Sequence, residues 1–268
     1  MAVISGDVEQ ATDIILSYDD SEVCELVNPW VHRGLFWCAN MPGVLCCGSW
    51  VIWGFRRRSS IGTSHGISAR GIAAALDAPL LVQRYSRLVI DCNRPLDASD
   101  AIPETSDTTR VPANAGLTQA ARTARYAAIH KPFRDRLAAL IDSWAAAERT
   151  ILVAIHSFTP MLLSEGRSRP WHVGLSFNRD DRFSRRLMAA LRALRPGLPA
   201  AFNQPYVLTD TGDYTIPFHA ERRGLKHGLI EVRNDLIAAP EGQADWAAFL
   251  AAAIAAAERA DAQKEADD

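Results

Sequence analysis

Paired cysteines are missing from this chain: its 268 residues include five cysteines, an odd number, and no two stand in C-x-x-C spacing. Neither a disulfide framework nor a structural zinc knuckle is expected, and a reducing cytoplasm is the expected setting. Excess charge is missing too. The 29 basic residues face 31 acidic ones, for a net charge of -2, which argues against nucleic acid as the main partner and for a small molecule. The opening residues, MAVISGDVEQ, have neither a basic start nor an apolar core, so no secretory signal is expected. A chain of this length can be one large α/β domain or two small ones, and it can bury a full core.

A second absence is local. No acidic residue occurs between Trp30 and His65, and no charge of either sign between Gly34 and Phe55, after which Arg56, Arg57 and Arg58 follow at once. The same stretch holds three of the five cysteines (Cys38, Cys46, Cys47) and four of the seven tryptophans (Trp30, Trp37, Trp50, Trp53). Its charge-free part is long enough to cross a bilayer, but Asn40, Pro42 and four glycines make it a poor membrane helix. A buried strand pair is a second reading, although neither period 2 nor period 3.6 is sustained. A third is that the stretch does not belong to the original reading frame, because its composition departs so sharply from the Ala-, Leu-, Asp- and Arg-rich chain around it. At its end, Gly62-Thr63-Ser64-His65-Gly66 matches G-x-S-x-G, the turn that presents a nucleophilic serine in α/β-hydrolases. That turn needs a core strand before it, and Arg56 to Ser60 make a poor one.

What is present is organised around Ile151 to Pro160, ILVAIHSFTP. A short apolar run rich in β-branched residues reads as a buried strand of a parallel sheet. His156 then falls at the strand's carboxyl end, the edge where open α/β sheets collect ligands, as a metal ligand, an acid/base or a packed histidine. Leu229 to Arg233 reads as the last strand, and it carries Glu231 into a covered part of the sheet, where a carboxylate is costly unless paired or used. Ala69 to Leu76 reads as helix; Leu80 to Gln83 and Arg87 to Ile90 read as strands. The second of these strands runs into Asp91-Cys92-Asn93-Arg94-Pro95. Arg87 and Arg94 bracket it, suited to a substrate carboxylate through two-point hydrogen bonding, or to an Arg94–Asp91 ion pair that holds the loop.

Asp97 to Gly116 reads as a long surface loop of the kind that lines sites. Thr118 is the expected N-cap of a helix to about His130, and Pro132 is expected to restart a second helix with Leu137, Leu140, Ile141 and Trp144 on one face. His130 lies at this joint, placed either to reach a ligand or to pack. Trp171 to Phe177 reads as a strand, and Phe183, Leu187, Leu191 and Leu194 as the stripe of a helix closed by Pro196-Gly197. Asn203-Gln204-Pro205-Tyr206 is a turn expected to lead to a short strand. An Ala-rich amphipathic helix is expected from about Gln243 to Ala260, and an opening element near Asp13 to Tyr18.

In this order, LVQRYSRLVIDCNRPLD, AIPETSDTTRVPANAGL, VAIHSFTP, WHVGLSFNRD, NQPYVLTDTGDYTIPFHAERRG and IEVRNDLI closely resemble the N-formylglutamate amidohydrolase family, from about Ala69 onward. The resemblance implies an α/β fold with a mixed, mostly parallel sheet flanked by helices, like the zinc carboxypeptidases. It also implies hydrolysis of the N-formyl amide of an acidic amino acid such as N-formylglutamate. Carried over, His156 would be a zinc ligand, Glu231 the carboxylate that activates water, and Arg87, Arg94 and Asn93 the binders of an N-acyl amino acid.

Relatives carry an upstream histidine in a His-Ala-Ser-Asn type block and an acid in a Trp-Asp-Ile-Gly type block. Neither is readable in residues 30–65, where His32 and His65 lack the expected neighbours. The expectation is one domain over residues 1–268 with an anomalous segment at 30–65, a product of two compensating frame changes. If the segment is native, a site with one histidine falls short of the three protein ligands of catalytic zinc. The chain would then be a non-catalytic relative that binds small carboxylates. A serine hydrolase using Ser64 is the third reading.

Overall fold

The computed structural model describes residues 24–27, 35–39, 64–83, 85–144 and 150–267. The expected element at Asp13 to Tyr18, and most of the charge-free stretch, lie outside the described residues.

The strands are β1 (Cys24–Val27), β2 (Leu35–Ala39), β3 (Leu80–Gln83), β6 (Ile151–Phe158), β7 (Val173–Ser176), β8 (Ala200–Phe202) and β9 (Lys226–Arg233), with a small hairpin of β4 (Thr105–Ser106) and β5 (Thr109–Arg110) apart from the sheet. They form one seven-stranded sheet in the order β1-β3-β2-β6-β9-β7-β8. The pairs β3/β2, β2/β6, β6/β9 and β7/β8 are parallel; β1/β3 and β7/β9 are antiparallel. This is the expected α/β architecture with a mixed, mostly parallel sheet. Residues 35–39 of the anomalous segment are part of it, inserted between β3 and β6.

Every residue of β6 is buried, as a strand covered on both faces must be. Side chains alternate across the sheet, and two apolar layers result. Ile151, Val153 and Ile155 of β6 and Ile230 and Val232 of β9 pack with helix α1 (Ser64–Leu76) through Ala69, Ile72 and Leu76. The same layer takes in α4 (Arg182–Leu194) through Phe183 and Leu187, and α5 (Pro240–Asp267) through Trp246, Leu250 and Ile254. Leu152, Ala154 and Leu229 face the other layer, built by Ile129, Phe133, Leu137 and Ile141 with Ile90, Ile216 and Ala220. At roughly 1.5–3 kcal/mol for each large apolar side chain removed from water, these two layers fix which face each strand residue takes.

The helix on the second face differs from expectation. Thr118 caps α2 (Gln119–Arg125) as expected, its hydroxyl accepting from the Ala121 amide at 3.2 Å. Instead of stopping before Pro132, the chain widens into a π-helical turn (Tyr126–His130) and continues directly into α3 (Lys131–Trp144). Proline lacks an N–H and crowds the preceding turn, and a widened turn accommodates both defects without ending the helix.

Two expected strands are absent. Arg87 to Ile90 forms a turn, because side chains bond the local backbone in place of a ladder: the Leu88 amide donates to Ser86 Oγ at 3.2 Å and the Asn93 amide to Asp91 Oδ1 at 2.9 Å. Residues 207–209 after Tyr206 are irregular. Leu194, assigned to the apolar stripe of α4, is 48 % exposed, while Phe183, Leu187 and Leu191 are buried. The C-terminal helix begins at Pro240, earlier than expected, with proline at its first position. Among the described residues no helix is long and apolar enough to cross a membrane.

Candidate active site

Strands β6 and β9 run side by side, and their register sets His156 directly opposite Glu231. Both residues belong to the second face, since they share the parity of Leu152, Ala154 and Leu229. His156 Nδ1 lies 3.9 Å from Glu231 Oε1, with the side chains 7 % and 6 % exposed. Glu231 Oε2 is buried and accepts no hydrogen bond among the described residues. The Glu231 carboxyl is pushed up to about 8, first by burial and then by the negative charge of Asp213, against the opposing pull of Arg94, Arg169 and Arg87. A carboxyl that holds its proton near neutrality until a positive charge arrives is suited to proton transfer.

The three arginines that act on this carboxylate electrostatically come from two loops, Arg87 and Arg94 from the connection between β3 and β4 and Arg169 from the one before β7. Arg87 donates from Nε to Asp91 at 2.9 Å. Burial alone would raise the Asp91 carboxyl, but the charges of Arg87 and Arg94 outweigh it and hold Asp91 below its usual range. Arg94 donates from Nε to Asp100 at 2.8 Å and from Nη1 to Asp213 at 3.0 Å. The Arg94–Asp91 contact expected to hold the loop is therefore replaced: Arg87 takes Asp91, and Arg94 reaches past it to a loop more than a hundred residues away. Asn93 donates to Asp213 at 3.1 Å and accepts from the Thr215 amide at 2.9 Å.

Arg169 is 5 % exposed. It donates to the Tyr206 hydroxyl at 3.0 Å and to Glu165 at 3.1 Å, and its backbone amide bonds Pro160 O at 2.7 Å. The loop that carries it is latched to the small hairpin: the amides of Leu163 and Ser164 donate to the Asp107 carboxylate at 2.9 and 2.8 Å. On the far side of Glu231, Gly174 of β7 is its register partner. An added Cβ there would stand 1.7 Å from the carbonyl oxygen of Gln204, so only glycine lets the segment before Tyr206 cross behind the carboxylate.

A family model described as N-formylglutamate amidohydrolase matches residues 58–238, more than half of the chain. The chain belongs to the N-formylglutamate amidohydrolase family. That places this amidohydrolase among the hydrolases that act on amides. It is similar over most of its length to two solved structures. Gene product Atu2144 from Agrobacterium tumefaciens is 29% identical, with 90% of this chain and 96% of that one covered at a TM-score of 0.77. An N-formylglutamate amidohydrolase from Ralstonia eutropha JMP134 is 16% identical, with 88% and 97% covered at a TM-score of 0.63, and shares the fold. No curated protein matches. The family match begins at residue 58, inside the anomalous segment and before Ala69 where the resemblance becomes legible by eye, and it ends ahead of α5.

Within this amidohydrolase, His156 and Glu231 meet near the carboxyl edge of β6 and β9; Arg94 acts on Glu231 electrostatically, Asn93 joins Arg94 through Asp213, and Arg87 holds Asp91. Ser64 opens α1; residues 56–63 before it lie outside the described residues, as does His32. His130, the histidine at the helix joint, is buried with Nε2 2.9 Å from Arg94 O and its ring stacked on Tyr126. Burial lowers its pKa, so it is a neutral packing group that donates to the loop of Arg94.

Zinc was expected here, and the residues fit it in part. An imidazole beside a carboxylate with an open oxygen is the donor chemistry such an ion uses, but among the described residues no group of three or more His, Cys, Asp or Glu could hold a metal. Sequence reasoning missed Arg169 and Asp213, which approach Glu231 from separate loops. Their signals were weak: an arginine in GRSRP and an aspartate inside TDTGDYT.

Proposed function

We propose that this chain is a metal-dependent amidohydrolase that cleaves the N-formyl, or another N-acyl, amide of an acidic amino acid such as N-formylglutamate. The observation that carries the reading is the buried His156–Glu231 pair, opposed across two parallel strands at the sheet's carboxyl edge in a member of this family. His156 would hold zinc. When bound, zinc lowers the pKa of a water ligand toward neutrality and polarises a carbonyl.

Glu231 Oε2 takes the proton from the attacking water and returns it to the leaving amine nitrogen. Its near-neutral pKa suits both directions of transfer. Arg94 binds a carboxylate of the substrate: its Nη2 makes no hydrogen bond among the described residues, and its side chain is 23 % exposed. Arg87 holds Asp91 and through it the turn that delivers Asn93, whose second amide proton is left for the substrate. Arg169 adds positive charge that acts on Glu231.

The test is release of formate from N-formylglutamate by the purified chain. Glu231→Gln is expected to lower kcat by about 10²- to 10⁴-fold, and Ser64→Ala to leave it unchanged. Wild-type turnover by Glu231→Gln, or loss of turnover in Ser64→Ala, overturns the proposal. Stabilisation by substrate with no turnover would instead establish the non-catalytic relative.

A further inference from the structure

The roles above leave Asp213 unassigned, although three groups converge on its carboxylate. Oδ1 accepts from Asn93 Nδ2 at 3.1 Å and from Arg94 Nη1 at 3.0 Å; Oδ2 accepts from the Thr209 amide at 3.1 Å. The side chain is 12 % exposed, and burial pushes its pKa up against the pull of Arg94. Next to it in sequence, the amides of Tyr214 and Thr215 donate to Asn93 Oδ1 at 3.3 and 2.9 Å, and the Tyr214 amide also reaches Asn93 O at 3.0 Å. Residues 91–94 and 209–215 are thereby joined into one unit.

Arg94 is held at two of its three guanidinium nitrogens. Asp100 takes Nε, and Asp213 takes Nη1, which also reaches Asn93 O at 3.4 Å; His130 Nε2 donates to its carbonyl oxygen at 2.9 Å, and Nη2 makes no hydrogen bond among the described residues. The direction in which Nη2 offers its N–H bonds to a carboxylate is set by the plane in which the other two nitrogens are held. Burying a carboxylate beside Glu231, whose pKa it raises, is unfavourable for a purely structural tie.

We propose that Asp213 is a positioning residue for substrate recognition, fixing the Arg94 guanidinium and the Asn93 amide so that the chain selects a ligand carboxylate over a neutral amide of the same shape. The proposal rests on the reading of Arg94 as a carboxylate anchor. Removing Asp213 has two opposed effects. It leaves Arg94 with a stronger positive field, and it frees the fork to rotate. An unoriented charge pair at a partly exposed site contributes little, whereas an oriented charge-assisted hydrogen bond contributes more. Orientation therefore decides the sign, and selectivity falls.

The experiment is calorimetric binding to the full chain, which needs no turnover, with L-glutamate, L-glutamine and isoglutamine as probes. Each neutral probe replaces one of the two carboxylates by an amide. Wild type is expected to prefer glutamate over at least one of the amides by about tenfold or more. Asp213→Asn and Asp213→Ala reduce that preference by about three- to tenfold, with the Kd of the amide shifted less than about twofold, and Arg94→Gln abolishes the preference.

If Arg94→Gln keeps the preference, or wild type has none, the reading of Arg94 fails and Asp213 falls with it. If Arg94→Gln loses the preference while Asp213→Asn keeps it, the Asp213 proposal alone is overturned. It is equally overturned if Asp213→Asn weakens all three probes by the same factor, the signature of a merely structural tie. Should Asp213→Ala not fold, Asp213→Asn carries the test, because it keeps the size of the side chain while replacing the charge-assisted acceptor of Arg94 by a neutral amide.

Discussion

Glu231 makes the stability of the metal-free protein depend on pH in a direction opposite to that of most carboxylates. Its folded pKa of about 8 lies above the ordinary 4.5, so the native protein holds a proton that the unfolded chain has released. Stability from this group is fully present below about pH 4.5 and is lost as pH rises through about 8. Between these limits each pH unit lowers it by about 1.4 kcal/mol, which amounts to about 2–3 kcal/mol from pH 5 to pH 7.

Glu231→Gln keeps the shape and has no proton to exchange. Urea denaturation of wild type and Glu231→Gln, both in chelator, should therefore show wild type losing about 2–3 kcal/mol relative to the variant over that interval. Every other titrating group is common to both proteins and cancels in the difference. If the two stabilities change in parallel from pH 5 to pH 7, Glu231 is not a protonated buried acid in the apo protein, and burial does not set its proton affinity.

Gly174→Ala should destabilise by about 1–3 kcal/mol or more in the same assay, because the new Cβ meets the Gln204 backbone at 1.7 Å and β7 is pinned between β9 and β8. Gly228→Ala on β9 meets the Phe183 ring at 3.3 Å and Ser184 Oγ at 3.7 Å, no backbone atom among them, and should cost less; equal losses at the two sites would refute the close backbone crossing as the cause. The anomalous segment has its own test. Translating the coding DNA for residues 30–65 in the other two frames should reveal a His-Ala-Ser-Asn-like and a Trp-Asp-like block, and their absence from both frames rejects the frame-change account.

The two strands that build the site were readable because each is a short apolar run interrupted by one polar residue, and a polar residue in such a run has few fates. The helices around them followed from capping and periodicity, as Thr118 and the Phe183–Leu187–Leu191 stripe illustrate. Strand β2 was not readable: Leu35 to Ala39 sits in a stretch where everything is uncharged, so no contrast marks its ends. The turn at Arg87 to Ile90 was misread as strand because hydrophobic content says nothing about Ser86 and Asp91 bonding their own backbone. Arg169 and Asp213 escaped notice for a topological reason. Their partners are brought near by β7 reversing direction and by the loop after β8, and no local pattern encodes such meetings.

The pairing of His156 with Glu231 has a consequence for how this chain can change. Both residues owe their place in the cleft to odd-and-even counting along strands whose other parity is filled by Ile155, Ile230 and Val232. Inserting or deleting one residue upstream in either strand would rotate a carboxylate or an imidazole into the oily layer beneath α4 and α5, and turn an isoleucine toward the substrate. Length variation in these strands is thus confined to steps of two, a restriction that acts on the gene even where no single side chain is irreplaceable.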